Sequence, residues 1–338
     1  MIWDIQADEN LLCMSEIDEY LHREAVTQLL WVPILSTLEL IPDYNVVSIA
    51  TDGKVLFWRE ADQLKFPIRG YLLELKAQTK LNLLSSTCLE FCKDTQSLLI
   101  GSISGSLSKI GGASIVSSEF SKKGSIATSL KWSPEAAAFR DHLSSNEAKR
   151  ELIEKLELYC KEQGTKEVSI EDIFKARLTI KTLYPSPSLF SYESHTGPVT
   201  CIKSSPHQRN LFASSSTDGS VRLYDQQQKS YLVQIEPGAT IEVTGIDWSP
   251  LRPGAFAISC SNGDIAIYDF YCSKAAAVVR IPSLSKTPAT TIKFNERLIG
   301  YMAAGYENGT VKVYKLNKYY SIGTVKPEEY DIWKKIIE

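Results

Sequence analysis

Two sets of four side chains recur along this chain with matching internal spacing. His22, Ser48, Asp52 and Trp58 form the first, and His195, Ser214, Asp218 and Tyr224 the second. In both, serine stands ten residues before the aromatic and aspartate six before it, and the histidine lies four before a valine, Val26 or Val199. Imidazole, hydroxyl, carboxylate and the N–H or O–H of the aromatic are complementary donors and acceptors. Gathered in a buried place they satisfy one another, where a group left unpaired costs about 1–3 kcal/mol. That is structural chemistry.

Signs of turnover chemistry are few. The other two histidines are His142 and His207, the latter in a turn after Pro206. Gly101-Ser102-Ile103-Ser104-Gly105 lacks the lysine of a phosphate-binding loop, Gly111-Gly112 reads as a loop between strands, and no G-x-S-x-G elbow occurs. Asp247 and Asp264 fall at recurring strand and turn positions. Cys88 and Cys92 alone lack the two further ligands zinc needs, and read as strand residues around Phe91. We assign no catalytic residue, no cofactor and no metal.

The elements that position these groups are repeats. Thr51-Asp52-Gly53-Lys54-Val55-Leu56-Phe57-Trp58 is echoed by Thr217 to Tyr224, by Ser261 to Tyr268 and by Glu307 to Tyr314. Each copy reads Asp/Asn-Gly, then alternating apolar residues, then an aromatic. A weaker copy, Ser104 to Ile110, keeps the glycine and loses the aromatic. Asp-Gly and Asn-Gly supply the positive φ angles of a tight hairpin turn, and the alternation is a half-buried strand. Upstream strands begin at Val26-Thr27, Val199-Thr200, Val243-Thr244 and Thr290-Thr291. The spacing of Gly219, Gly263 and Gly309 matches the roughly forty to forty-five residues of a propeller blade.

The pattern resembles WD repeats. In that family's structural tetrad the aspartate fixes the imidazole, which reaches the serine hydroxyl and then the strand aromatic. Tyr replaces Trp in three blades and Asn262 and Asn308 replace the aspartate in two, so the later blades are expected to be less tightly tied. The fold expected is all-β, an incomplete WD-repeat β-propeller of about five blades plus an orphan strand pair, with a helical insertion. Residues 1–132 form its first part, 133–186 the insertion, 187–316 the remaining blades and 317–338 a tail with a possible short helix. Met1 to Asp4 matches the end of a third strand, so the reading is of an N-terminally truncated form or of strands supplied from elsewhere.

Within the insertion, Leu152, Leu156 and Tyr159 recur at helical spacing, with Ser145 as a cap and Gly164 as a stop. It reads as a packed cover or as a docking helix, and Leu130 to Pro134 as another strand opening. In the tail, Ile332, Trp333, Ile336 and Ile337 share a helical face that closes on the propeller rim or binds outward. Trp31 and Trp248 hold equivalent positions at the ends of first strands, either packed between blades or anchoring a partner. A net charge of -3 gives no basic footprint for nucleic acid. No apolar run is long enough to span a membrane, the start lacks a signal-peptide pattern, and seven irregularly spaced cysteines suit a reducing cytoplasm.

Four stretches carry a narrower resemblance: His22 to Pro33, Ser48 to Trp58, Ser205 to Phe212 running on to Gly219, and Trp248 to Pro253. Together they resemble the WD-repeat intermediate chains of cytoplasmic dynein, in particular the smaller-intermediate-chain branch of the ciliary (intraflagellar transport) dynein. The resemblance runs from residue 1 to about 316. It implies a non-catalytic motor subunit whose propeller grips the dynein heavy chain, in the cytoplasm, the cytoskeleton and the cilium. In that family a disordered segment before the propeller recruits light chains; this sequence shows no such segment, so light-chain binding is not expected of it. The alternative is a generic WD scaffold or adaptor, such as a ubiquitin-ligase substrate receptor.

Overall fold

A computed structural model describes residues 21–34, 43–59, 69–76, 81–111, 189–284, 286–321 and 325–331, with short pieces at 2–3, 11–15, 64, 67, 131–133, 156, 167–168, 183–185 and 333. Strands β1 (Ile2–Trp3) and β2 (Leu11–Cys13) form a separate antiparallel pair. Five larger sheets follow. The first holds β3 (Val26–Ile34), β4 (Asp43–Ala50), β5 (Lys54–Arg59) and β6 (Arg69–Leu72). A small hairpin, β7 (Glu74–Lys76) with β8 (Leu81–Leu83), leads to the second sheet, β9 (Ser86–Cys92), β10 (Ser97–Ser102) and β11 (Leu107–Ile110).

Between β11 and its neighbour lies the long excursion. There β12 (Lys131–Trp132) pairs in parallel with β13 (Glu167–Val168), so the strand opening read at Leu130 to Pro134 founds no antiparallel blade among the described residues. Of the expected helix, Leu156 is described, helical and buried; the rest of that segment lies outside the described residues. The chain returns as β14 (Leu183–Pro185), added in parallel to the outer edge of the first sheet, and then as β15 (Leu189–Ser191), the fourth strand of the second sheet. The excursion therefore sits inside one blade, between its third and fourth strands, and its exit touches two neighbouring sheets.

The third sheet is β16 (Val199–Ser204), β17 (Leu211–Ser216), β18 (Val221–Asp225) and β19 (Tyr231–Ile235). The fourth is β20 (Val243–Trp248), β21 (Ala255–Cys260), β22 (Ile265–Asp269) and β23 (Val279–Ile281). The fifth has three strands among the described residues, β24 (Ala289–Phe294), β25 (Tyr301–Tyr306) and β26 (Val311–Lys315). Two short helices follow, α1 (Lys318–Ser321) and α2 (Pro327–Tyr330).

Each sheet stacks on the next, first strand beside first strand, as propeller blades do around an axis. Each of the three inner sheets has a leading face turned to its predecessor and a trailing face turned to its successor. Between the third and fourth sheets, Leu211, Val221 and Leu223 meet Val243, Ile246 and Phe256. Between the fourth and fifth, Ala257, Ile265 and Ile267 meet Ile292, Phe294 and Met302. Alternation works here because both faces of an inner blade are covered. Each such Ile, Leu or Phe removed from water contributes about 1.5–3 kcal/mol.

The hairpin corners differ in detail from a two-residue turn. Gly53, Gly105, Gly219, Gly263 and Gly309 have φ from +76° to +86°, but the Asp or Asn before the glycine is not left-handed. In the third sheet the Gly219 N–H donates to the Ser216 carbonyl and the Ser216 N–H to the Ser220 carbonyl. This is a three-residue loop, a type I turn closed by a left-handed glycine. The second reason for Asp/Asn lies in the side chain. Asp52, Asp218, Asn262 and Asn308 each accept the backbone N–H two residues on, from Lys54, Ser220, Asp264 and Thr310. A Cβ at Gly105 would sit 2.3 Å from the His195 carbonyl, so the corner also has to let the next loop pass.

Candidate functional site

The structure brings the first set of side chains into one relay. Trp58 Nε1–H donates to Ser48 Oγ (2.8 Å), Ser48 Oγ lies 2.8 Å from His22 Nε2, and His22 Nδ1 lies 3.2 Å from Asp52 Oδ1. A carboxylate only accepts, so the ring proton sits on Nδ1 and Nε2 accepts from the serine. Asp52 also accepts the Arg23 N–H (3.0 Å). Burial lowers the His22 pKa, against the opposing pull of Asp52, which keeps the imidazole neutral.

The second set closes in a related way. His195 Nε2 is 2.7 Å from Ser214 Oγ and Nδ1 is 3.1 Å from Asp218 Oδ2. Asp218 further accepts from the Thr196 N–H and from Ser220 Oγ. Burial pushes the Asp218 carboxyl up, but the Ser220 hydrogen bonds and His195 outweigh it and hold it well below the usual carboxylate range. The aromatic member diverges, because the Tyr224 hydroxyl donates to the Glu193 carbonyl (2.8 Å) while its ring stacks on Phe212. These groups tie the loop entering a blade to that blade's second and third strands, and expose no nucleophile.

Trp31 and Trp248 part company. Trp248 is 5% exposed; its Nε1–H donates to the Lys203 carbonyl of the preceding sheet, and Phe256 packs on it edge to face. Trp31, at the equivalent register, is 49% exposed. Cys88 and Cys92 both lie on β9; burial raises both thiols, Cys92 to about 11, and Cys92 Sγ meets Ser204 Oγ.

Two features escaped the sequence reading. One is a hydrogen-bond ladder from blade to blade. The hydroxyl of Thr27 donates to the Ser86 carbonyl (3.2 Å), Thr87 to Val199 (2.7 Å), Thr200 to Val243 (2.7 Å) and Thr244 to Ala289 (2.5 Å). Each threonine is the second residue of its first strand, and its acceptor is the first residue of the next. The recurring Val-Thr was the visible signal. Acidic side chains add a second set of links, Glu90 to Lys203 and the Ser204 N–H, and Asp247 to Lys293 and the Phe294 N–H.

The other is the tail's seat. Arg252 and Glu329 form a buried ion pair with Nη1 2.7 and 2.6 Å from the two carboxylate oxygens. Arg252 Nε–H also donates to the Tyr319 carbonyl and its guanidinium lies over the Tyr319 ring at 4.0 Å. Trp333 fits between Trp248 and Phe270 and donates to the Pro253 carbonyl. The described part of the tail therefore turns inward onto the fourth sheet, while Ile332, Ile336 and Ile337 lie outside the described residues. Its second helix covers four residues at its beginning, and Trp333 packs from a turn after it.

Among the described residues no helix is long and apolar enough to cross a membrane, and none of their His, Cys, Asp and Glu side chains gather as a metal-binding group.

Comparison with known proteins follows this geometry. The family described as WD domain, G-beta repeat matches residues 186–225, which span β15 to β18 and contain His195, Ser214, Asp218 and Tyr224. Mouse cytoplasmic dynein 2 intermediate chain 2 is 28% identical over 94% of this chain and 50% of its own length. The human protein of the same name is 25% identical over 94% of this chain and 51% of its own. An Arabidopsis protein, transcriptional corepressor LEUNIG_HOMOLOG, is 27% identical over 37% of this chain and 15% of its own. The chain thus spans about half the length of the dynein relatives it matches. Its sheets form an incomplete WD-repeat β-propeller, and along nearly all of its length the chain is similar to intermediate chain 2 of cytoplasmic dynein 2.

Proposed function

We propose that the chain is a non-catalytic intermediate-chain subunit of a cytoplasmic dynein, that its propeller holds the motor heavy chain, and that it supports retrograde intraflagellar transport and cilium assembly. The observation that carries this reading is the similarity to two dynein 2 intermediate chains over 94% of the sequence. The structure adds support of a physical kind. A stack of sheets tied by threonine bonds and a clasped tail presents preformed loops, which lowers the ordering cost of gripping an extended or helical segment. His22 and His195 are held neutral by burial and committed to hydrogen bonds, which suits a scaffold. On this reading it resides in the cytoplasm, on the cytoskeleton and in cilia.

The test is affinity capture of the tagged chain from ciliated cells, followed by mass spectrometry and by imaging of ciliary traffic after depletion. A dynein heavy chain is expected in the eluate, and returning ciliary cargo is expected to stall. An eluate without any dynein subunit defeats the reading. A general WD adaptor role draws on the corepressor similarity, which covers a much smaller share of the chain; recovery of a different stable complex would favour it.

A further inference from the structure

The first and second blades are joined at their outer edges by a second connection. The chain leaves the second blade at the end of β11 and re-enters it as β15, with Ile110 paired to Leu189. Just before re-entry it runs as β14 along the outer edge of the first blade, Leu183 opposite Gly70, Tyr184 opposite Tyr71 and Pro185 opposite Leu72. Among the described residues this is the one strand added to a blade in parallel. Residues 186–188 alone separate it from β15. Pro185 and Leu189 therefore stand at most about 14 Å apart.

Both anchors belong to one core. Tyr71 of β6 packs edge to face on Phe57, and Tyr71 and Ile110 are buried in the same apolar cluster as Leu89, Leu98 and Ile100. With β15, β14 thus bridges the outer strands of two blades that share this core. Its own hold is slight: three residues in a parallel ladder, which is weaker per residue than an antiparallel one, with Pro185 unable to donate. Such a strand docks because a short tether keeps it at high effective concentration beside its partner. The outer strands β19 and β23 of the third and fourth sheets carry no such cover among the described residues.

We propose that β14 is a latch. Docked, it ties the outer edges of the first two blades into one cooperative unit and fixes the exit of the excursion to the propeller rim. Released, it leaves β6 as an open sheet edge and β15 held by its pairing with β11 alone. The two strands are coupled because the tether is too short for one to leave its place without loosening the other. The latch does not depend on the dynein reading, since it joins parts of this chain alone.

Hydrogen exchange of the full chain, read by mass spectrometry, tests the coupling. Leu183→Pro together with Tyr184→Pro leaves β14 without a backbone donor. The amides of β6 and of β15 are both expected to exchange about tenfold faster, as the loss of one or two hydrogen bonds allows, with β16 to β23 unchanged. If circular dichroism shows that variant unfolded, the tether is lengthened instead. Inserting about twelve Gly and Ser residues between Pro187 and Ser188 keeps both strands and makes the tether about five times longer, which is expected to speed exchange of β6 and β15 by about tenfold. Faster exchange at β6 alone would make β14 a passive edge cover and overturn the latch. So would a change confined to β15, or unchanged exchange at both strands.

Discussion

The fourth and fifth sheets are built from nearly the same pattern and end in different environments. Each opens with a Thr-bearing first strand, turns at Asn-Gly with the glycine left-handed, and runs on through an alternating third strand. Yet Ile265 and Ile267 are 0% and 2% exposed, and Val311 and Val313 are 69% and 66% exposed. The alternation specifies that a face is apolar; a neighbouring sheet determines whether it is buried. The tail adds to the contrast by seating Trp333 and Glu329 on the fourth sheet.

The sharpest way to break this comparison is to remove the tail's seat. Arg252→Ala leaves Glu329 as a buried, unpaired charge, a loss of about 3–5 kcal/mol. Denaturant midpoints are expected to fall accordingly, while Lys312→Ala in the fifth sheet, whose side chain lies over Tyr306, is expected to do far less. Equal effects would mean that the tail does not clasp the fourth sheet.

Next comes the third strand itself. Ile267→Ala is expected to cost about 2–5 kcal/mol, because it opens a cavity between two packed sheets. Val313→Ala is expected to stay within about 0.5 kcal/mol, as exposed substitutions do. A large loss at Val313 under dilute conditions would show that the fifth sheet's trailing face is covered.

The repeats were legible because turn chemistry and strand alternation are local. The Asp/Asn-Gly corners, the first strands and the spacing of Ser214 and Asp218 behind His195 all follow from short-range rules. What was not legible is long-range. The equivalence of Trp31 and Trp248 is correct in register, yet their burial differs because it depends on neighbours far away in sequence. Arg252 and Glu329 are separated by most of two blades, so nothing local marks them as a pair. The threonine ladder was visible as Val-Thr, but its meaning needs the adjoining first strand. The return of the excursion as β15 was hidden because a three-residue strand carries little pattern.

The polar sets extend the comparison to the third sheet, where Asp218 and His195 stand in place of a lone Asn262. His195→Ala leaves Ser214 and Asp218 without their partner, at about 1–3 kcal/mol. The same set makes stability pH-dependent. Burial holds the folded His22 and His195 below the ordinary imidazole value, so the unfolded chain takes up protons first as pH falls. Stability is expected to drop from about pH 7 to pH 5. Asp218, held below the ordinary carboxylate value, adds a further loss as pH falls through the carboxylate range. Hydrogen exchange is expected to locate the first loosening in the first and third sheets, with the asparagine corners of the fourth and fifth unaffected. A chain whose stability is flat down to pH 5 would contradict the neutral-histidine geometry.

The smallest effect probes the ladder, and it isolates the difference between the two sheets most cleanly. Thr244 and Thr290 are the same residue at the same register, one donating to the next sheet at Ala289 and the other to its own at Gly305. Thr→Val preserves shape and removes the hydroxyl. At Thr244 it deletes a bond between blades and leaves the Ala289 carbonyl without that donor, at about 0.5–1.5 kcal/mol. At Thr290, which is exposed and bonded within one sheet, water replaces the lost donor and the change is expected to be near zero. The readout is the difference between the two variants' denaturation midpoints in dilute protein. If Thr244→Val is as neutral as Thr290→Val in dilute protein, the apolar faces alone hold the blades together, and the threonines serve only to set register.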